Sequence, residues 1–232
     1  MRPAALALLL MLVFALAACG DDEGNGGATT GAETTETTPA FEDPEPLPRT
    51  EVVGGYLYEV EEDGFEVAVP RRWIARSSAQ VPDPRAIRRL SVDYPVIIGY
   101  FEALVGDSPT RFVAAAPNLR KNFATNLTVT IEEVEAGTTT EQYEEETYAQ
   151  ILSTAANVRG EIRRSNAQLA VGPVRVLRYE RSFSDEIALE TRHYLFVDGD
   201  RAFALTYSTA LPDPAFDAVV ERSTESFRLT GD

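Results

Sequence analysis

Residues 189–197 read Leu-Glu-Thr-Arg-His-Tyr-Leu-Phe-Val, residues 198–200 Asp-Gly-Asp, and residues 201–208 Arg-Ala-Phe-Ala-Leu-Thr-Tyr-Ser. Two runs rich in β-branched and aromatic residues meet at an Asp-Gly pair. Such a pair accepts the positive φ of a tight hairpin turn, so the two runs should pair antiparallel. A second hairpin has the same form, with Tyr56–Val60 and Phe65–Val69 on either side of Asp63-Gly64. Further strands are expected at Thr125–Val134, where Leu127, Val129 and Ile131 alternate with Thr128, Thr130 and Glu132, and at Val174–Phe183.

Helical signals lie between the strands. Thr139 with Gln142 three residues later forms a capping-box pattern, and Tyr148, Ile151, Leu152 and Ala155 then make an apolar stripe that stops before Gly160. Asp213-Pro214 offers an N-cap and a first-turn proline to a helix whose apolar positions are Phe216, Val219, Val220 and Phe227, with Ser223 between them. A third helix, Pro95 to Val105, is apolar nearly all round, which fits either a piece buried between elements or an exposed docking surface. The resulting order, β-β-α-β-α-β-β-β-α, argues for an α+β fold with helices packed on an antiparallel sheet.

Three motifs in that order resemble PsbP-like domains. Gly64-Phe65-Glu66-Val67-Ala68-Val69-Pro70-Arg71-Arg72-Trp73 resembles their opening strand and Pro-x-x-Trp signature, and Asn126-Leu127-Thr128-Val129 their central strand. Tyr194-Leu195-Phe196, Phe203-Ala204-Leu205-Thr206 and Ser226-Phe227-Arg228 resemble their final hairpin and close. The likeness covers most of residues 51–229 and is nearest to actinobacterial lipoproteins of the LpqN type. It implies an α/β/α sandwich around a central antiparallel sheet, in a superfamily that docks onto larger partners, and it carries no catalytic residue across. Val171-Gly172-Pro173 and the paired Arg71-Arg72 depart from the usual pattern.

The N-terminus gives an address. Residues 1–18 have a basic start at Arg2, an apolar run from Ala4 to Ala15 and small residues before a cut, the parts of an export signal. Leu16-Ala17-Ala18-Cys19 resembles a bacterial lipobox, in which Cys19, the only cysteine, is the lipid attachment site. Two acyl chains suffice for stable anchoring. An ordinary signal cut nearby would instead leave Cys19 as a free thiol. Residues 19–48 then form an acidic tether rich in Thr, Gly and Pro, with eight acids and no base. A segment this poor in apolar side chains cannot offset its ordering entropy and is expected to be disordered. The expected product is exported and lipid-anchored on the extracytoplasmic face of the cell membrane, with a globular domain over residues 49–232.

The chain carries 21 basic and 37 acidic residues, a net charge of −16. Residues 49–232 hold 20 and 29 of them, hence −9. An acidic domain of this kind lacks the footprint that nucleic-acid binding requires. Catalytic signals are equally sparse. There is one histidine, His193, on the strand face shared by Leu189, Leu195 and Val197, which reads as a packed residue rather than a general base. No Gly-x-Ser-x-Gly elbow occurs, and one histidine with one cysteine cannot make the usual zinc sets, so neither cofactor nor metal is expected. Glu132-Glu133 and Glu144-Glu145-Glu146 read as solvated acids, the second run on the outward side of its helix. A hydrolase would need a constellation such as a glutamate and a tyrosine brought together from distant strands.

One cluster runs against the acidic background. Arg71, Arg72, Arg76, Arg85, Arg88 and Arg89 fall within nineteen residues that hold a single acid, Asp83. Arginine's planar fork suits carboxylate and phosphate, so these six are candidate anion or partner contacts, although the domain's own acids offer them partners as well. Ile97, Ile98, Phe101 and Leu104 are candidate apolar contacts. The expectation is a non-enzymatic, membrane-anchored envelope module that docks onto an unidentified envelope protein, lipid or glycan. A lipid or glycolipid carrier with a groove beneath Ile97 and Phe101 is the alternative.

Overall fold

The computed structural model describes residues 47–81, 98–106, 108–154, 157–184 and 186–231. The export signal, Cys19, nearly all of the tether, Arg85, Arg88, Arg89, Pro95 and Ile97 lie outside them. In chain order the elements are β1 (Arg49–Val52), β2 (Gly55–Val60), β3 (Phe65–Pro70), β4 (Ile74–Ser77), α1 (Ile98–Phe101), β5 (Thr110–Ala115), β6 (Asn126–Glu133), α2 (Thr140–Thr154), β7 (Val158–Leu169), β8 (Gly172–Ser182), β9 (Ala188–Asp198), β10 (Arg201–Ala210), α3 (Phe216–Ser226) and β11 (Arg228–Leu229).

Both Asp-Gly hairpins form. β9 and β10 pair antiparallel with Asp198 opposite Arg201, and Gly199 takes φ +63°. Gly64, at φ +70°, follows a short 3-10 turn, and a Cβ there would stand 2.9 Å from the Thr230 carbonyl oxygen. The two hairpins nevertheless belong to different sheets. β9–β10 is central to a seven-stranded sheet of order β4-β5-β6-β10-β9-β8-β7, whereas β2–β3 joins β1 and β11 in a sheet of four. Every pairing is antiparallel.

The layering is therefore richer in sheet than an α/β/α sandwich. One face of the large sheet is covered by the small sheet and α3, around a core of Phe65, Phe112, Phe196, Phe203, Tyr207, Phe216 and Phe227. Phe196 and Phe203, cross-strand partners, stack with centroids 4.7 Å apart. The opposite face is covered by α2, over Leu177, Tyr179, Leu195 and Ala204, and by α1 with its following 3-10 turn, over Val113, Ala115 and Ala124. Turn chemistry announced the β2–β3 hairpin. It carried no information about which sheet that hairpin would join.

Local expectations fare unevenly. The capping box of α2 closes in both directions, with the Thr139 amide donating to Gln142 Oε1 at 2.8 Å and the Gln142 amide to Thr139 Oγ1 at 3.2 Å. The buried face of α2 is rotated from the expected one, however. Tyr143, Glu144, Thr147 and Ile151 turn inward while Leu152 remains 54% exposed. Glu144 thus corrects the reading of its acidic run as outward-facing: Arg164 grips its carboxylate with two bonds of 2.6 Å and Arg175 adds a third at 3.3 Å. Two cations from β7 and β8 make that burial tolerable. In α3 the helix begins at Phe216, later than Pro214, and the Asp213 carboxylate accepts from the Ala215 amide at 3.1 Å.

Candidate functional site

Of the six arginines, the three among the described residues, Arg71, Arg72 and Arg76, do not share one surface. Arg71 and Arg72 occupy the turn after β3. Arg76 lies on β4 next to Ala75, and because Ala75 points into the core between the sheets, Arg76 points to the opposite side of the large sheet. Arg76 Nη1 donates to its neighbour's carbonyl at 2.7 Å.

Arg71 gains different company. β1 and β2 pair with Glu51 opposite Tyr56 and Arg49 opposite Tyr58, and Tyr56 in turn faces Val69 on β3. Arg71, two residues beyond Val69, continues the same side. The outcome is a ledge at the rim of the small sheet. The Tyr56 ring has the Arg49 guanidinium 4.3 Å from its centroid and that of Arg71 at 5.5 Å, and Arg71 also forms an ion pair with Glu51. Arg72 is exposed and has no ion-pair partner among the described residues, and Val53, in the β1–β2 turn, is 91% exposed. Leu47 is packed in the core, so the polypeptide arriving from the Cys19 side enters the domain beside this ledge. Arginine stacked on tyrosine at an exposed rim is the chemistry enriched in protein interfaces.

The candidate apolar contacts have another fate. The helix expected over Pro95 to Val105 is, within the described residues, a single turn from Ile98 to Phe101 followed by a 3-10 turn, Glu102–Leu104. Phe101 and Leu104 are fully buried against Val81, Val113, Ala115 and Ala124, and Ile98 packs at the edge of that cluster. These residues are core.

A polar band that sequence did not reveal runs between α2 and α1, on the same face of the large sheet. Strand alternation places Arg181, Tyr179, Thr191, His193, Thr206, Ser208 and Asn126 there. His193 is buried, with Nε2 3.1 Å from Tyr179 Oη and Nδ1 2.9 Å from Thr206 Oγ1, and its ring stacks on that of Tyr179. Burial, and then the charge of Arg181, lower its pKa to about 4. It is a neutral ring held by two hydroxyls. Thr191 and Ser208 share a hydrogen bond of 3.2 Å, and burial raises the Tyr100 hydroxyl, beside Asn126, to about 12.

Farther along β6, Glu132 and Tyr143 of α2 meet in the interior. Both Glu132 oxygens and the Tyr143 hydroxyl are sealed from solvent without a hydrogen-bond partner. Burial raises the Glu132 pKa and Glu146 raises it further, and the Tyr143 hydroxyl is raised by burial, then by Glu132 and by Glu146. The tyrosine comes from a helix rather than from a distant strand, and Glu132 is thus not the fully solvated acid expected. Its alternation with Ile131 did place it on the helix side of β6, but the cover supplied by α2 left no trace in the sequence. Among the described residues no three His, Cys, Asp or Glu side chains are grouped to hold a metal ion, and no helix is long and apolar enough to cross a membrane.

No protein-family model matches the chain, and no curated protein does. Among solved structures it is similar to a Bacteroides thetaiotaomicron protein at 11% identity and a TM-score of 0.42, over 72% of this chain and 46% of that one. The chain thus spans about half the length of that neighbour. It is also similar to the solution structure of cyanobacterial PsbP (CyanoP) from Synechocystis sp. PCC 6803, at 18% identity and a TM-score of 0.46, over 77% of this chain and 94% of that one.

Proposed function

We propose that the chain is a PsbP-like, lipid-anchored module of the cell envelope, exported, held at the extracytoplasmic face of the membrane through Cys19, and working by docking onto an envelope protein rather than by catalysis. One observation carries this reading: the exposed ledge in which Arg49 and Arg71 flank Tyr56, beside Arg72, which has no ion-pair partner among the described residues, and the exposed Val53. The ledge is basic on a domain of net charge −9, so its complement is an acidic protein surface. It also stands where the tether joins β1, so an anchored domain carries it on the edge from which the polypeptide leads back to the membrane. Tethering raises its effective concentration for other membrane-held components.

The non-enzymatic part of the proposal is supported by His193, whose two ring nitrogens are both occupied by hydroxyls and whose burial keeps it neutral. Docking is favoured over the carrier alternative by the packing of Phe101 and Leu104 into a filled cluster, which leaves neither of them to line a groove. Native mass spectrometry of the protein released gently from its own membranes separates the two. Docking predicts no lipid-sized mass beyond the covalent acyl groups on Cys19, whereas a lipid-sized adduct lost on denaturation would establish the carrier.

A further inference from the structure

Four arginines from three parts of the chain converge at the rim of the small sheet. Arg49 and Arg71 flank the Tyr56 ring, and Arg72 follows Arg71 in the same exposed turn. Arg222 of α3 joins them, donating from Nη1 to the Gly54 carbonyl at 3.4 Å, and a Cβ at Gly54 would collide with its guanidinium. Gly55 pairs with Pro70, so Gly54 and Arg71 each stand one residue beyond that pair, and Arg222 belongs to the ledge. All four arginines are exposed, and Glu51, ion-paired to Arg71, is the acid set among them. Exposed guanidiniums against an aromatic ring keep their charge available to a further anion.

A strongly acidic stretch of the same chain enters the domain at this rim. Residues 19–48 hold eight acids and no base. The point of entry is fixed by two contacts, since Leu47 is packed in the core and the Pro48 carbonyl accepts from the Glu59 amide at 3.1 Å. Arg49 is the next residue. Glu42 and Glu33 precede it by 7 and 16 residues, with Glu36 between them and Asp43 and Glu45 nearer still. Doubling a loop costs only about 0.6 kcal/mol, so the more distant acids compete nearly as well as the near ones. Connection by so short a length of chain presents them to the ledge at an effective concentration on the order of millimolar.

We propose that the acidic stretch ending at Glu45 docks onto the ledge of its own domain, its carboxylates meeting Arg49, Arg71, Arg72 and Arg222, and thereby competes with acidic partners for that surface. The competition rests on the reading of the ledge as a dock for an acidic protein; the contact within the chain does not. Each exposed ion pair is worth at most about 1 kcal/mol, so several together give partial occupancy rather than a permanent block. A partner must carry enough charge to displace the chain's own acids, which disfavours weakly acidic surfaces.

The test compares the full chain in detergent with a variant combining Glu33→Gln, Glu36→Gln, Glu42→Gln, Asp43→Asn and Glu45→Gln. All five positions precede Leu47, so the packed core is untouched. Amide NMR shifts read the contact, and titration with hexaglutamate reads the competition. At low salt the Val53, Tyr56 and Arg72 amides should differ between the two proteins while that of His193, on the far face of the large sheet, does not. The differences should vanish at about 0.5 M salt. Hexaglutamate should bind the variant about threefold to tenfold more tightly than the wild type, as expected when a competitor leaves the ledge free for that fraction of the time. Adding Arg72→Glu to the variant should weaken that binding. Identical ledge amides in the two proteins would overturn the contact, whatever hexaglutamate does. Equal hexaglutamate affinities would overturn the competition and leave the ledge as an acid-binding surface. No binding of hexaglutamate to the variant would overturn the reading of the ledge as a dock, while shifted amides would still establish the contact.

Discussion

The ledge around Tyr56 and the band around His193 are built from overlapping residue types, arginine and tyrosine prominent in both, and they differ in what water does to them. On the ledge, Arg49 and Arg71 lie over an aromatic face at the rim of the small sheet, and Arg72 beside them projects into solvent. In the band, the hydroxyls of Tyr179 and Thr206 are bound to a buried imidazole, and the Arg181 Nε is sealed from solvent. Exposed charges are inexpensive to keep and available to a partner. Enclosed ones must be satisfied internally, neutralised, or matched by something that enters.

The largest effect that would sharpen this contrast is the pH dependence carried by His193. Its folded pKa, about 4, lies below the ordinary value of 6.5, so the fold favours the neutral ring. That contribution is fully present above pH 6.5 and is lost as pH falls toward 4. Urea unfolding at pH 7 and pH 4 should show the wild type losing about 3 kcal/mol more than His193→Gln. Equal losses would mean that the ring is not enclosed as described.

A smaller effect of opposite sign belongs to Glu132. Its raised pKa means that the folded state favours the protonated acid, so the ionised carboxylate costs stability at neutral pH and that cost disappears as pH falls below the ordinary carboxylate range. Glu132→Gln should stabilise the protein at pH 7 by up to about 1 kcal/mol, reduced from the full penalty of an unsatisfied group because the side-chain stem keeps some solvent. Matched unfolding curves below pH 4.5 should converge. Destabilisation at pH 7 would show that the carboxylate has a partner. Smallest of all, Arg72→Glu on the ledge should change stability by no more than about 0.5 kcal/mol, because that side chain is exposed and makes no ion pair among the described residues.

How much of this was legible in the sequence follows the range of each interaction. The capping box at Thr139 and Gln142 and the Asp-Gly turns are local devices, and they form as read. β7 was missed because, as an edge strand with exposed Arg159, Glu161, Arg163 and Gln168, it shows no apolar alternation. Its charges and the register shift near Gly160 also suit an edge that must resist further pairing. The paired Arg71-Arg72 could be seen as a charge run, but Arg49 and Tyr56 joined them only through the register of β1 on β2. Glu144, expected outside, is inside because two arginines more than nineteen residues away reach it.

The central claim is that the module works through its ledge. A photo-crosslinker placed at Val53 in the anchored, full-length protein, with the same group at exposed Leu152 as the reference, tests it in native membranes. The account predicts one discrete protein adduct from position 53, none from position 152, and loss of that adduct when Arg72→Glu is added. Equal labelling from both positions, or an adduct indifferent to Arg72→Glu, would contradict it.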